Sequence, residues 1–251
     1  MTGDMQVYEW LGRWYPMPPI WLEGRVWLEY MQLMRDPVFG GEGVVPGRGR
    51  PVMLIPGFLA GDRSLDTMRG WLKGNGYRPL RSGIDPLRSG IDFNVQSSSV
   101  LMERIAERIR EQVPRGKKTV IVGQSRGGTL GLGLAQRYPE LVERVISLGS
   151  PIGSPLDIHP WTMATVHAAR TWHALRRRSW EIDDAFDREL LEPARVPVTS
   201  LYSRTDGFVY WRACLRDDVE AIEVGGSHLG MSVNPRVYRE IARVLKPAAA
   251  R

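Results

Sequence analysis

The segment Thr119-Val120-Ile121-Val122-Gly123-Gln124-Ser125-Arg126-Gly127-Gly128 decides how the rest of the chain is interpreted. Its first four residues form a short apolar run, typical of a strand buried on both faces of a parallel sheet. The glycines permit a sharp turn, and residues 129–138 have the pattern of a helix. A strand, a tight turn and a helix in this order present the Ser125 hydroxyl at the end of the sheet, as a nucleophile requires. A phosphate-binding loop would need Gly-Lys-Ser/Thr, and no lysine follows the glycines.

A serine nucleophile needs a general base, and the base needs an orienting carboxylate. In folds with this type of turn, the acid and then the histidine follow the serine along the chain. Only His228 lies between the last predicted strand and the last predicted helix. Asp206 follows the predicted strand 196–202 in a loop rich in turn residues, and we expect it to be the acid. Asp217 and Asp218 are competing candidates that we expect at the surface. The other three histidines precede Asp206 in the chain and so do not fit this order. They are His159, His167 and His173.

The anionic oxygen of an acyl-transfer intermediate must be held by two backbone N–H groups. We expect one from Arg126, directly after the nucleophile, and one from the turn after the strand 52–55. Pro56 has no N–H to donate, so Phe58 is the predicted donor and Leu59 the second candidate. Apolar residues near the predicted triad suit an acyl chain, although ordinary core packing would explain them equally. The predicted substrate-binding residues are Leu59, Trp161, Phe208, Trp211 and Leu229.

Strand-like and helix-like segments alternate along the chain, which indicates an α/β fold: a mostly parallel central sheet with helices on both faces. The predicted strands are 52–55, 77–80, 119–122, 144–148, 196–202 and 219–224, and the predicted helices are 62–73, 100–113, 129–138 and 235–245.

We predict a core made of residues 51–150 and 194–251, preceded by a helical leader, 1–50, that packs on the core. A small helical cap, 151–193, is predicted over the sheet. The seven residues 79–85 are repeated at once as 86–92, a duplication expected to be absorbed by a surface loop. An amphipathic helix is predicted for 19–36, for core or dimer packing or for membrane contact. Its apolar face comprises Leu22, Val26, Trp27, Tyr30, Met31 and Met34, and its polar face Glu23, Arg25, Glu29, Gln32 and Arg35.

Four motifs together resemble those of bacterial α/β-hydrolase-fold serine esterases and lipases, across residues 51–246. They are Pro56-Gly57-Phe58, the segment 123–128, Ser203-Arg204-Thr205-Asp206-Gly207 and Gly226-Ser227-His228-Leu229-Gly230. Gln124 and Pro56 depart from the resemblance, since histidine is common at both positions. The resemblance implies cleavage of a carboxylic ester through an acyl-enzyme, without a metal or an organic cofactor. An acyltransferase or thioesterase with the same triad, and a non-catalytic binding protein of the same fold, are the alternatives.

The amino-acid composition indicates in which cellular compartment the protein works and which kinds of partner it binds. The 251 residues include 43% hydrophobic and 25% charged residues, the balance of a globular protein. No signal peptide or membrane-spanning stretch is apparent, and a single cysteine, Cys214, favours the cytoplasm. A net charge of +6 without a nucleic-acid-binding motif favours a solvated basic face, with peripheral contact to an anionic membrane as the alternative. The expected partner is a small-molecule ester, and the oligomeric state is left open. His167 and His173 cannot share a helix face as metal ligands.

Overall fold

The computed structural model describes residues 7–10, 13–16, 19–84, 97–153, 164 and 184–247. A short antiparallel hairpin pairs β1 (Val7–Trp10) with β2 (Arg13–Pro16), an element that the sequence did not predict. The main sheet has six strands in the order β4-β3-β5-β6-β7-β8, and all of its neighbouring pairs are parallel. These strands are β3 (Pro51–Ile55), β4 (Arg78–Arg81), β5 (Thr119–Gln124), β6 (Val142–Leu148), β7 (Val198–Tyr202) and β8 (Glu220–Glu223).

Helices cover both faces of this sheet, as the alternating sequence pattern predicts. Successive strand residues point to opposite faces, so Leu54 packs with Trp71 and Tyr238 on one side, while Met53 packs with Leu101 on the other. The helices are α1 (Val26–Arg35), α2 (Asp66–Gly74), α3 (Ser98–Gln112), α4 (Arg126–Arg137), α5 (Asp184–Leu191) and α6 (Pro235–Val244). Helices α1, α2 and α6 contribute to the first side, and α3, α4 and α5 to the second. The prediction of an α/β fold is therefore confirmed.

The parallel arrangement brings the carboxyl ends of all six strands to one edge of the sheet. In open α/β sheets this edge is where ligands bind. The turn 56–60 follows β3, Ser125 follows β5, and Asp206 lies beyond the end of β7. His228 lies between β8 and α6. The topology thus brings the loops that carry the predicted site residues to one region.

The leader helix differs from its predicted orientation. Residues 20–25 form a 3-10 helix that continues into α1. Glu23 and Glu29, on the predicted polar face, are only 7% and 6% exposed, whereas Trp27, on the predicted apolar face, is 73% exposed. The two carboxylates are buried because they bind main-chain N–H groups of the molecule, as described below, and the exposed Trp27 leaves dimer packing and membrane contact open for this face. Leu33 supplies the buried apolar contact of α1 instead.

Two further expectations meet the structure only in part. The first copy of the duplicated heptad is not simply a surface loop, since it begins within β4 and buries Leu80 and Ile84. Asp62 accepts hydrogen bonds from Ser82 and Gly83 of that copy, whereas the second copy lies outside the described residues. Most of the predicted cap, 154–163 and 165–183, also lies outside them. Within the described ranges, no helix is both long and apolar enough to cross a membrane.

Candidate active site

Ser125 occupies a strained turn between β5 and α4. Its φ of 53° and ψ of −124° lie where residues with a side chain are rarely found, and α4 begins at the very next residue. Such strain persists only where the surroundings hold it in place, and it is concentrated at functional sites. Here the Ser125 N–H donates to the Leu148 carbonyl at the end of β6, over 2.8 Å.

The glycines around Ser125 are required by close backbone contacts. A Cβ on Gly123 would lie 2.3 Å from the carbonyl oxygen of Gly127, and one on Gly127 would lie 2.1 Å from the carbonyl oxygen of Ile55. At Gly128 the added carbon would be 2.0 Å from the Ser150 hydroxyl oxygen. All three separations are too short for real carbon atoms. The Gly-x-Ser-x-Gly-Gly pattern therefore reflects a turn pressed against β3 and the end of β6.

Asp206 and His228 form a buried hydrogen-bonded pair. The distance between His228 Nδ1 and Asp206 Oδ2 is 2.7 Å, and the residues are 5% and 3% exposed. The other carboxylate oxygen, Oδ1, accepts the N–H groups of Phe208 and Val209, each over 2.8 Å. Because the carboxylate is fixed as an acceptor, Nδ1 carries the proton and Nε2 keeps a lone pair. The histidine is thus held in the tautomer of a general base.

The surroundings of His228 favour its protonated form. Burial disfavours the imidazolium, but the charge of Asp206, the hydrogen bond to it and the charge of Glu23 outweigh burial and raise the pKa of His228 above its ordinary 6.5. A base with a raised pKa accepts a proton more readily than free imidazole does.

The end of β6 connects the serine to this pair. Leu148 accepts the Ser125 N–H, and the next residue, Gly149, has a φ of +55°. A Cβ on Gly149 would lie 2.9 Å from Asp206 Oδ2 and 3.1 Å from His228 Nδ1. Two consecutive residues of one strand end therefore contact the serine turn, the aspartate and the histidine. The serine turn and the aspartate–histidine pair thus lie against neighbouring residues, Leu148 and Gly149.

The turn after β3 lies directly against Ser125. A Cβ on Gly57 would be 3.2 Å from the Ser125 Cβ, and the turn is closed by a bond from the Ala60 N–H to the Gly57 carbonyl. Leu59 adopts a φ of 57° and is 44% exposed, while Phe58 is half-buried. Arg126, on the other side, is the first residue of α4, where N–H groups have no intrahelical acceptor. The roles of Phe58 and Arg126 as oxyanion donors stay predictions.

The predicted substrate-binding residues have different surroundings. Phe208 packs edge-on against the His228 ring, with centroids 5.3 Å apart, and Leu229 is 47% exposed beside it. Trp211 instead stacks on Tyr202 at 5.9 Å and lies under the guanidinium groups of two arginines, Arg204 and Arg212. These contacts fix Trp211 near the end of β7, and its predicted contact with substrate stays a prediction. Trp161 lies outside the described residues.

Of the competing acids, Asp218 accepts the Ala194 N–H and pairs with Arg216. Asp217 is exposed, as expected.

Gln124, noted above as a departure from the resemblance, donates from Nε2 to the carbonyl oxygen of His228 over 2.9 Å. This amide therefore ties the residue before the nucleophile to the loop that carries the base.

Sequence reasoning missed two carboxylates of the leader that bind the same loops. Glu23 accepts hydrogen bonds from the backbone of Gly207, His228 and Leu229. Glu29 accepts from both the N–H and the hydroxyl of Ser227. A single sequence carries no signal for these contacts, because glutamate on one face of an amphipathic helix is typical of a solvent-exposed face.

The family model of the alpha/beta hydrolase fold matches residues 51–208, which is more than half of the chain. This chain belongs to the alpha/beta hydrolase family. The matched range includes β3, the serine turn and Asp206, and it ends before the loop of His228. The match supports a hydrolase, in agreement with the resemblance seen in the motifs.

Solved structures share this hydrolase architecture. Naproxen esterase from Bacillus subtilis is 16% identical, with a TM-score of 0.53 over 81% of this chain and 86% of that chain. An aryl esterase from Burkholderia cenocepacia, described as putative, is 16% identical. Its TM-score is 0.54, over 80% of this chain and 92% of that chain. An extracellular alpha/beta-hydrolase from a Paenibacillus species is 15% identical. Its TM-score is 0.50, over 78% of this chain and 97% of that chain. At these identities the likeness shows the fold alone. Comparison with curated proteins gave no match.

Proposed function

We propose that this α/β-hydrolase is a serine esterase that cleaves carboxylic esters with an apolar acyl group. The observation that carries the proposal is the 2.7 Å bond between His228 Nδ1 and Asp206 Oδ2, next to the strained Ser125 turn at the end of β6. A buried aspartate that orients a histidine, beside a serine held at positive φ, is the arrangement that nucleophilic acyl transfer requires. The esterases among the structural neighbours agree with this reaction class.

In the proposed mechanism, Nε2 of His228 takes the Ser125 proton as the hydroxyl oxygen attacks the ester carbonyl. Asp206 stabilises the resulting imidazolium through Nδ1. The N–H groups of Phe58 and Arg126 hold the oxyanion, and the imidazolium then gives its proton to the leaving alcohol. His228 then takes a proton from water, which attacks the acyl-enzyme. The bond from the acyl carbon to Ser125 Oγ breaks, the imidazolium returns the proton to Ser125 Oγ, and the acid is released.

The apolar character of the substrate rests on the side chains around the proposed nucleophile. Leu59, in the turn after β3, and Leu229, next to His228 in the chain, are both about half exposed, and the Phe208 ring packs edge-on against His228. Apolar walls with few polar groups suit an acyl chain better than a sugar or a peptide. Trp161 remains a proposed contact from the cap. The cytoplasmic location predicted from the single cysteine belongs to this proposal too. For the positive net charge, peripheral contact with an anionic membrane stays the alternative to a solvated basic face.

The first test is labelling with a fluorophosphonate, which reacts with an activated serine. We expect labelling of the wild type and none of the Ser125→Ala or His228→Ala variants. Ser64→Ala provides a matched control, because its hydroxyl bonds only the Gly61 carbonyl at the surface. Wild-type protein that folds and yet resists the probe would remove the hydrolase proposal in favour of a binding protein.

The second test compares p-nitrophenyl esters from acetate to octanoate. An apolar acyl site predicts that kcat/KM rises with chain length. Activity that peaks at acetate and vanishes by octanoate would contradict it. Added alcohols and thioester substrates, followed by product analysis, distinguish an esterase from an acyltransferase or a thioesterase.

A further inference from the structure

Two glutamates of the leader are buried, although carboxylates are rarely buried without strong hydrogen-bonding partners. Glu23 is 7% exposed and Glu29 is 6% exposed. Among the described residues, the hydrogen bonds of these two carboxylates all reach the loops that carry Asp206 and His228. Burial of the charged groups is therefore coupled to the position of the proposed acid and base.

Glu23 is the group that joins the two loops. Its Oε1 accepts the Gly207 N–H over 2.7 Å and the His228 N–H over 2.8 Å. Its Oε2 accepts the Leu229 N–H over 2.8 Å. Gly207 directly follows the proposed acid, so one carboxylate oxygen binds both the residue after Asp206 and the base itself. Bonds from N–H groups to an ionised carboxylate are about twice as strong as bonds between neutral groups.

The fit at Gly207 is tight. A Cβ there would lie 2.8 Å from Glu23 Oε1 and 2.8 Å from the Cα of Ile20. Only a glycine lets the acid loop approach the leader this closely. The sequence Asp206-Gly207 thus combines a carboxylate that faces the histidine with a backbone N–H that faces Glu23.

We propose that Glu23 is a positioning residue of this hydrolase, which holds the acid loop and the base loop in register so that Asp206 orients His228. This inference rests on the proposed Ser125–His228–Asp206 mechanism and assigns the leader a part in it. Glu23 does not contact the reacting atoms in this mechanism, and it acts through the backbone of the residues that do.

Glu23 also contributes to the field at the base. Within the part of the chain that the structure describes, the charged groups that act on His228 are Asp206, from the loop after β7, and Glu23, from the leader. Glu29 lies one residue away, on Ser227. Both Asp206 and Glu23 raise the pKa of His228 against the opposing effect of burial. Neutralising Glu23 should therefore lower this pKa, whereas neutralising Glu29 should have much less effect.

Glu23→Gln and Glu29→Gln form a matched pair, since both sites are in the leader, equally buried and bonded to the base loop. A glutamine carbonyl at position 23 can still accept the N–H groups of Gly207 and His228, but its amide then faces the Leu229 N–H. We expect kcat to fall about tenfold in Glu23→Gln, with little change in KM because Glu23 does not contact the substrate. The rise of kcat/KM with pH, called the acidic limb of its pH profile, should move to lower pH in Glu23→Gln. It should stay in place in Glu29→Gln.

The pKa of His228 can be measured without turnover, by NMR titration of its ring protons, assigned by comparison with His228→Ala. A lower pKa in Glu23→Gln than in Glu29→Gln supports the inference even if no ester is hydrolysed. Wild-type protein that is not labelled by fluorophosphonate would defeat the proposed function separately. Equal pKa values and equal kcat in both variants would overturn the role of Glu23.

Glu23→Asp separates position from charge and covers the case in which Glu23→Gln does not fold. The aspartate keeps the charge but is one methylene too short to reach both loops. We expect a reduced kcat with a smaller shift of the acidic limb than in Glu23→Gln. A Glu23→Asp variant with wild-type kcat would refute the inference on its own.

Discussion

Replacing Asp206 by asparagine tests the orientation of the histidine most directly. The two N–H groups of Phe208 and Val209 point at Oδ1, so the asparagine carbonyl should occupy that position. Its amide would then point at His228 Nδ1, where Oδ2 now lies at 2.7 Å. A donating amide requires Nδ1 to be unprotonated, and the ring proton moves to Nε2. His228 in that tautomer cannot accept the Ser125 proton.

The size of the effect follows from the cost of inverting the amide. Inversion would restore the productive tautomer but would sacrifice two hydrogen bonds worth about 1 kcal/mol each. This cost alone keeps the inverted form near about one molecule in 30. A buried N–H group left without an acceptor costs up to about 3 kcal/mol instead of 1, so the loss at the buried Val209 N–H makes the inverted form rarer still. We therefore expect kcat to fall by at least about 30-fold and at most about 10⁴-fold, the loss typical of a triad in the wrong tautomer.

The assay is release of p-nitrophenolate from p-nitrophenyl butyrate at pH 8, with kcat and KM determined separately. Asp218→Asn is the matched control, because Asp218 bonds Ala194 and Arg216 and not the histidine. It should retain kcat within about twofold, as expected for a surface substitution. A folded Asp206→Asn variant with more than about a third of wild-type kcat would refute the assignment of the acid.

Three further predictions follow from the same structure. The kcat/KM of the wild type should rise with pH through a pKa above 6.5, because His228 must lose its proton to act as a base and its pKa is raised. A pH profile whose acidic side gives a pKa below 6.5 would contradict this. Gly149→Ala should lower kcat/KM about 100-fold by pushing a Cβ to 2.9 Å from Asp206 Oδ2, whereas Gly70→Ala, with nothing within 4 Å of the new carbon, should keep full activity. Tyr238→Phe should lower the free energy of unfolding by about 1–2 kcal/mol, because the buried Ser232 carbonyl loses its 2.9 Å hydrogen bond from the Tyr238 hydroxyl. Urea denaturation measures this change, and an unchanged midpoint would argue against that bond.

The serine turn was predictable because its determinants are local. The strand, the glycines and the helix around Ser125 are contiguous in sequence, and the backbone contacts at Gly123 and Gly127 explain why those positions need glycine. The place of His228 between β8 and α6 was predictable from its order in the chain. The helix α4 begins three residues earlier than its periodicity suggests, because the strained serine itself precedes the first helical residue.

The contribution of the leader was not predictable. The glutamates of helix 19–36 follow the spacing of a polar face, and nothing near them in sequence indicates a buried partner. Their partners are about 200 residues away, in the backbone of the loops around Gly207 and His228. Backbone N–H groups occur at nearly every residue, so the sequence cannot show which of them a distant carboxylate will bind.

The contacts of Glu23 have a consequence for the order in which this protein folds. The segment that carries Glu23 is synthesised early, and its partners, Gly207 and His228, are 184 and 205 residues further along the chain. Contacts between such distant segments form late, because the entropy of closing a long loop must be overcome first. The sheet and the serine turn can assemble before the Glu23 carboxylate has met the N–H groups that donate to it. If Glu23 positions the aspartate–histidine pair as proposed, the pair would reach its final geometry only when these distant segments meet, and the nucleophile would be activated at the close of folding.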